Sequence, residues 1–187
     1  MTQTPDPAPP TPTRPTSGRR PAAVLVGFMG AGKSTVGRIL ADRLGVDFVD
    51  TDVELVRRTG RSIPEIFESD GVEGFRVIEE NVVTDVLDNH GGVVSLGGGA
   101  VTTAGVREAL TDQRVAYLNV SPERGYARVS GTDRPLLATE DPAARYAELL
   151  AERTGTYASV CSFEVDADAD PETVADAIVA QLARELM

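Results

Sequence analysis

Gly27-Phe28-Met29-Gly30-Ala31-Gly32-Lys33-Ser34-Thr35 decides the fold of this chain. It matches the pattern G-x-x-x-x-G-K-[ST], and it stands where that pattern has a physical meaning. The apolar run Ala22–Phe28 before it reads as a buried strand, and Lys33–Leu44 after it reads as a helix. A glycine-rich turn between strand and helix lets backbone N–H groups converge on phosphate oxygens, and the helix N-terminus adds favourable partial charge. Gly30, Ala31, Gly32, Lys33, Ser34 and Thr35 are therefore the expected ATP contacts. Lys33 is expected to bridge the β- and γ-phosphates, and the Ser34 hydroxyl to ligate Mg2+.

Outward from this loop, short apolar runs alternate with helical stretches. The runs are Ala22–Phe28, Val46–Val49, Gly92–Leu96, Arg114–Val120 and Ser162–Val165. Between and after them lie helical patterns at Lys33–Leu44, Ser62–Glu68, Val72–Asn89, Thr103–Thr111, Pro122–Val129, Ala143–Val160 and Pro171–Leu186. Val-rich runs without polar alternation read as strands covered on both faces, as in a parallel sheet. The alternation predicts an α/β fold: three layers around a parallel sheet of about five strands flanked by helices. Residues 1–21 are a Pro- and Thr-rich tail with no apolar periodicity, expected to be disordered. Residues 22–187 form the one domain, and residues 130–142, between two helices, have the length and Gly/Pro content of a mobile lid.

The 187 residues carry a net charge of −11, which argues against a nucleic-acid partner, since that needs a broad basic surface. No stretch approaches the roughly 20 apolar residues of a membrane span. The one cysteine, Cys161, excludes an internal disulfide and fits a reducing cytoplasm. A monomer is expected, because no spare hydrophobic element is evident. Lys33 is the only lysine; every other basic side chain is arginine. Guanine recognition through an Asn-Lys-x-Asp segment is thereby closed, because no second lysine remains for it.

Asp50 and Asp52 end the second apolar run, at the edge of an open α/β sheet where ligands bind. One of them suits Mg2+ support through water; the other suits acceptance of a proton or hydrogen bond from an attacking hydroxyl. Asp52 is also placed to cap a helix over Val53–Thr59. Arg76 and Glu79, three apart in a helix, share a face and can meet. Gly97, Gly98 and Gly99 follow the third strand and expose backbone to anything at that edge. His90, the only histidine, reads as a helix C-terminal cap.

In this order, these segments resemble the shikimate kinase family, a branch of the P-loop small-molecule kinases, across nearly all of residues 22–187. The resemblance is carried by Gly27–Ser34, Asp50-Thr51-Asp52, Phe75-Arg76 with Glu79, Gly97-Gly98-Gly99, Arg134-Pro135-Leu136-Leu137, and Arg153 with Tyr157. It implies transfer of the ATP γ-phosphate to the 3-hydroxyl of shikimate, a step of aromatic amino acid biosynthesis. It also implies a substrate-binding segment at about residues 50–80. Lys33, Asp52 and Arg134 are the implied catalytic residues, with Asp52 as base or orienting acceptor and Arg134 closing from the lid over the phosphates. Arg76 and Arg153 would clamp the shikimate carboxylate, Glu79 would position Arg76, and Gly97, Gly98 and Gly99 would meet the substrate. Ser34 and Asp50 would serve the metal. On the nucleotide side, Arg128 and Pro171 match family positions when the lid is taken as slightly shorter. The chain departs from the family in reading Gly71-Val72-Glu73 ahead of Phe75-Arg76 and in lacking a proline between Arg153 and Tyr157. The competing functions are a P-loop kinase acting on gluconate or a nucleoside monophosphate, and a non-enzymatic nucleotide switch.

Overall fold

Alternate residues of the central strand feed two separate cores, which is why a short apolar run can support three layers. The computed structural model describes residues 20–132 and 135–185. Strand β1 (Ala23–Val26) is buried along its whole length. It pairs in parallel with β3 (Val93–Ser95) on one side and β4 (Val115–Asn119) on the other. The outer strands are β2 (Phe48–Asp50) and β5 (Phe163–Asp166), giving the all-parallel order β2-β3-β1-β4-β5. A parallel sheet of about five strands was expected, and the described residues form one of five. The expected cover on both faces holds for β1, β3 and β4, whereas the edge strands β2 and β5 are only partly covered because each has a neighbour on one side alone.

Ala23, Leu25, Val93, Ala116 and Leu118 point to one face, packed by α1 (Lys33–Leu44) and α7 (Pro171–Glu185). Val24, Val26, Val94, Val115 and Tyr117 point to the other, packed by α3 (Ile63–Asn89) and α6 (Pro142–Val160). Helix α2 (Thr51–Thr59) leaves β2 without a loop. The two patterns expected at Ser62–Glu68 and Val72–Asn89 are the halves of α3, separated at Gly71 with φ 72° and ψ −177°. A reciprocal Ser62–Glu65 capping box starts the first half. His90 caps the second half with its backbone N–H on the Val86 carbonyl. Helices α4 (Ala104–Ala109) and α5 (Pro122–Val129) complete the flanks. None of the described helices is long and apolar enough to cross a membrane. Arg134 lies outside the described residues.

Candidate active site

The phosphate-loop sequence sits at the carboxyl end of β1 and is braced from three directions. Inside the loop, Lys33 Nζ donates to the Gly27 carbonyl at 2.8 Å and the Phe28 carbonyl at 3.2 Å. From α6, the Tyr146 hydroxyl donates to the Met29 carbonyl at 2.6 Å. From α5, Arg128 donates to the Gly30 carbonyl at 3.1 Å and, across the gap before α7, to Ala167 at 2.9 Å and Ala169 at 3.4 Å. Gly30 has φ 80°, and a Cβ there would strike the Gly125 carbonyl of α5. The turn therefore needs glycine both for its dihedral and for its neighbour. Together these segments enclose a cavity of about 800 Å³ lined by Gly30–Val36, Asp50, Asp52, Gly97, Gly98, Arg124, Arg128 and Ala167–Pro171.

Asp50 does two jobs at the floor of this cavity. One carboxylate oxygen accepts from the Ser34 hydroxyl at 2.5 Å. The other accepts from the backbone N–H groups of Asp52 at 3.0 Å and Val53 at 3.4 Å, so Asp50 is the N-cap of α2. The capping expected of Asp52 thus belongs to Asp50, because the helix begins two residues earlier, directly off the strand. Freed from the cap, Asp52 lies against Gly97, where a Cβ would come 2.5 Å from Asp52 Oδ1. The buried Thr51 between the two aspartates accepts the Gly97 N–H at 3.2 Å and ties the loop after β3 to α2.

Beyond Gly97 lies a second cluster. Arg76 Nη1 meets Glu79 Oε2 at 2.5 Å, as their spacing predicts. Glu79 is buried, and desolvation is the main reason its pKa stands above the ordinary carboxyl value, with Arg76 opposing. Arg76 lies so close to Gly99 that a Cβ there would collide with its guanidinium. Arg153 approaches the Gly98 carbonyl at 3.5 Å and rests over the Phe28 ring, 5.2 Å from its centroid. The buried Tyr157 donates its hydroxyl to the same Gly98 carbonyl.

The predicted residues therefore fall into two adjoining groups. Gly30–Thr35, Asp50, Asp52, Gly97, Gly98, Arg128 and Pro171 share the cavity. Arg76, Glu79, Gly99 and Arg153 stand beside it on the far side of the glycine loop. Three residues that support the site carried no signal strong enough to single them out. Tyr146 acts across 117 positions of sequence. Arg124 stands one helical turn before Arg128 and lines the same cavity, a spacing that could have pointed to it. Ser95, buried at the end of β3 and bordering the cavity, differs from its strand neighbours only in polarity.

The shikimate kinase family model matches residues 29–183. The shikimate kinase of Mycobacterium avium (strain 104) is 52% identical over 164 residues, covering 87% of this chain and 93% of the relative. The chain belongs to the shikimate kinase family. A second shikimate kinase, from Mycobacterium tuberculosis (strain ATCC 25177 / H37Ra), is 54% identical over 147 residues, 78% of this chain and 84% of the relative. Among solved structures, the shikimate kinase from Acinetobacter baumannii in complex with shikimate superposes with a TM-score of 0.84 at 36% identity. It covers 89% of this chain and 94% of its own. As a shikimate kinase family member the chain also has the P-loop kinase fold expected from its sequence, and the switch alternative falls away.

Proposed function

We infer that this chain transfers the γ-phosphate of ATP to the 3-hydroxyl of shikimate, giving ADP and shikimate 3-phosphate. The observation that carries this is the junction at Gly97–Gly99. A phosphate-loop cavity ends there against Asp52, and a cluster of two arginines begins. A phosphate donor on one side is thus placed beside an acceptor bearing hydroxyls and a carboxylate on the other. Arginine suits the carboxylate because its planar fork pairs with it bidentately.

In this reading Lys33 and the loop amides neutralise the phosphates, and Asp52 orients the 3-hydroxyl and takes its proton. Arg76, held by Glu79, and Arg153 fix the carboxylate, while Gly97–Gly99 meet the ring by backbone. Arg128 and Pro171 border the nucleotide, and Arg134 completes the charge neutralisation from the 130–142 lid. Such a site acts mainly by positioning and electrostatic stabilisation. The oxygens of Ser34 and Asp50, already 2.5 Å apart, are the hard donors that Mg2+ takes alongside substrate phosphates. Among the described residues no three acidic, His or Cys side chains gather to hold a metal by themselves. Magnesium therefore fits as a partner of the nucleotide, where it supplies charge neutralisation and orientation of the phosphates. We further propose a cytoplasmic monomer that engages neither nucleic acid nor membrane.

A coupled assay of ADP release with and without shikimate tests the reading. ADP release should depend on shikimate and yield the 3-phosphate. Release at the same rate without shikimate would refute it.

A further inference from the structure

We propose that Tyr157 is a positioning residue for the acceptor substrate, acting through the Gly98 carbonyl to aim the Gly99 N–H at the acceptor. The inference deepens the function proposed above and rests on it. A trans peptide is planar, and its C=O and N–H point to opposite sides. Fixing the Gly98 carbonyl therefore fixes the direction of the Gly99 N–H.

The Gly98 carbonyl is held on the core side by two groups of α6, the Tyr157 hydroxyl and Arg153 Nη1. Tyr157 is fully buried and stacked on Tyr117, with ring centroids 5.2 Å apart, so its hydroxyl has little freedom. Burial raises its pKa to about 12, which keeps it a donor at neutral pH. The Gly98 and Gly99 N–H groups donate to no acceptor among the described residues, whereas Gly97, Ala100 and Thr102 all do. Gly99 lies directly under the Arg76 guanidinium, so its backbone borders the arginine cluster. Without the Tyr157 anchor only the long Arg153 contact at 3.5 Å would hold this carbonyl, in a loop of three glycines that can turn the peptide over.

Tyr157→Phe keeps the ring and removes the shorter of the two bonds to the Gly98 carbonyl. Its KM for shikimate should rise about tenfold, the loss expected for one hydrogen bond, while its KM for ATP stays within about twofold. Tyr117→Phe removes a hydroxyl from the same stacked pair that bonds Asn119 instead, at 3.3 Å; it should leave both constants unchanged. An unchanged shikimate KM in Tyr157→Phe, or an equal rise in both constants, would overturn the proposal. Should Tyr157→Phe fail to fold, the wild-type protein labelled with 15N tests the premise that the Gly99 N–H faces the acceptor. Adding shikimate alone should move the Gly99 amide resonance, and a Gly99 signal unmoved at saturation would overturn the proposal. ADP release indifferent to shikimate in the wild type would remove the function and this inference together; normal turnover with an unaltered Tyr157→Phe removes the inference alone.

Discussion

Arg76→Ala should weaken both substrate binding and the fold, and the loss of stability should depend on pH. Glu79 is buried, whereas the Arg76 side chain is 25% exposed. Breaking a buried ion pair from one side costs about 3–5 kcal/mol. The partial exposure of Arg76 places this case near about 3 kcal/mol at alkaline pH. For a domain of this size that corresponds to a fall in Tm of roughly 6–12 °C. Desolvation already raises the Glu79 pKa, and both effects of Arg76 pull it down. Deleting Arg76 therefore raises it further. A carboxyl whose folded pKa is raised contributes stability that is complete below its unfolded value of about 4.3. That stability is lost as pH rises through the folded value. The Arg76→Ala deficit should accordingly be small at pH 5 and large at pH 8. Adding Glu79→Gln should restore the pH 8 melting temperature, because a neutral amide needs no counter-charge. It should not restore shikimate affinity, which falls roughly tenfold to a hundredfold with the lost charge-assisted hydrogen bonds. Thermal melts at both pH values and calorimetric titration of shikimate supply the measurements. An equal deficit at pH 5 and pH 8, or no rescue by the double variant, would refute the buried-pair account.

Other perturbations separate the remaining roles. Lys33→Ala should abolish transfer, and in the wild type ATP should protect the single side-chain amine from an acylating label; equal labelling with and without ATP would contradict the assignment. Asp50→Asn keeps an efficient N-cap, so its melting temperature should barely move while magnesium-dependent turnover drops by orders of magnitude. Asp50→Ala should lose a further ~1 kcal/mol of stability as the cap disappears, and similar activity in Asp50→Asn and wild type would count against metal support. Arg128→Ala cuts the bonds joining the phosphate loop to the segment before α7. Its KM for ATP should rise about tenfold with the shikimate KM unchanged, and steady-state kinetics against each substrate decide.

What was legible in the sequence was whatever depends on local spacing. The phosphate loop, the five strand-forming runs and the break between the halves of α3 are all short-range patterns. The boundary between β2 and α2 was harder, because Asp50 and Asp52 are equally good capping residues and only the backbone decides which one ends the strand. The burial of Glu79 was masked by its type, although Phe75, Val82, Val83 and Val86 mark the same face of α3 as apolar. Tyr146 illustrates a true limit. Its partner is a backbone carbonyl 117 residues away, and a carbonyl has no side-chain identity for a pattern to register. The Arg128 contacts share that difficulty, since all three acceptors are carbonyls.

Helix α6 holds the Met29 carbonyl through Tyr146 and the Gly98 carbonyl through Tyr157. The two tyrosines are eleven residues apart, almost a whole number of turns, so they emerge on one side of the rod about 16 Å from each other. The helix thus works as a calliper whose jaws grip the donor pocket and the acceptor pocket. Its gauge is counted in residues, not in distances that side chains could adjust. A single inserted residue between the jaws would rotate one of them by about 100°. One jaw would then let go while the other kept its grip. Point substitutions on the outer face of α6 leave the gauge intact, whereas a change in its length severs the alignment of the donor pocket with the acceptor pocket.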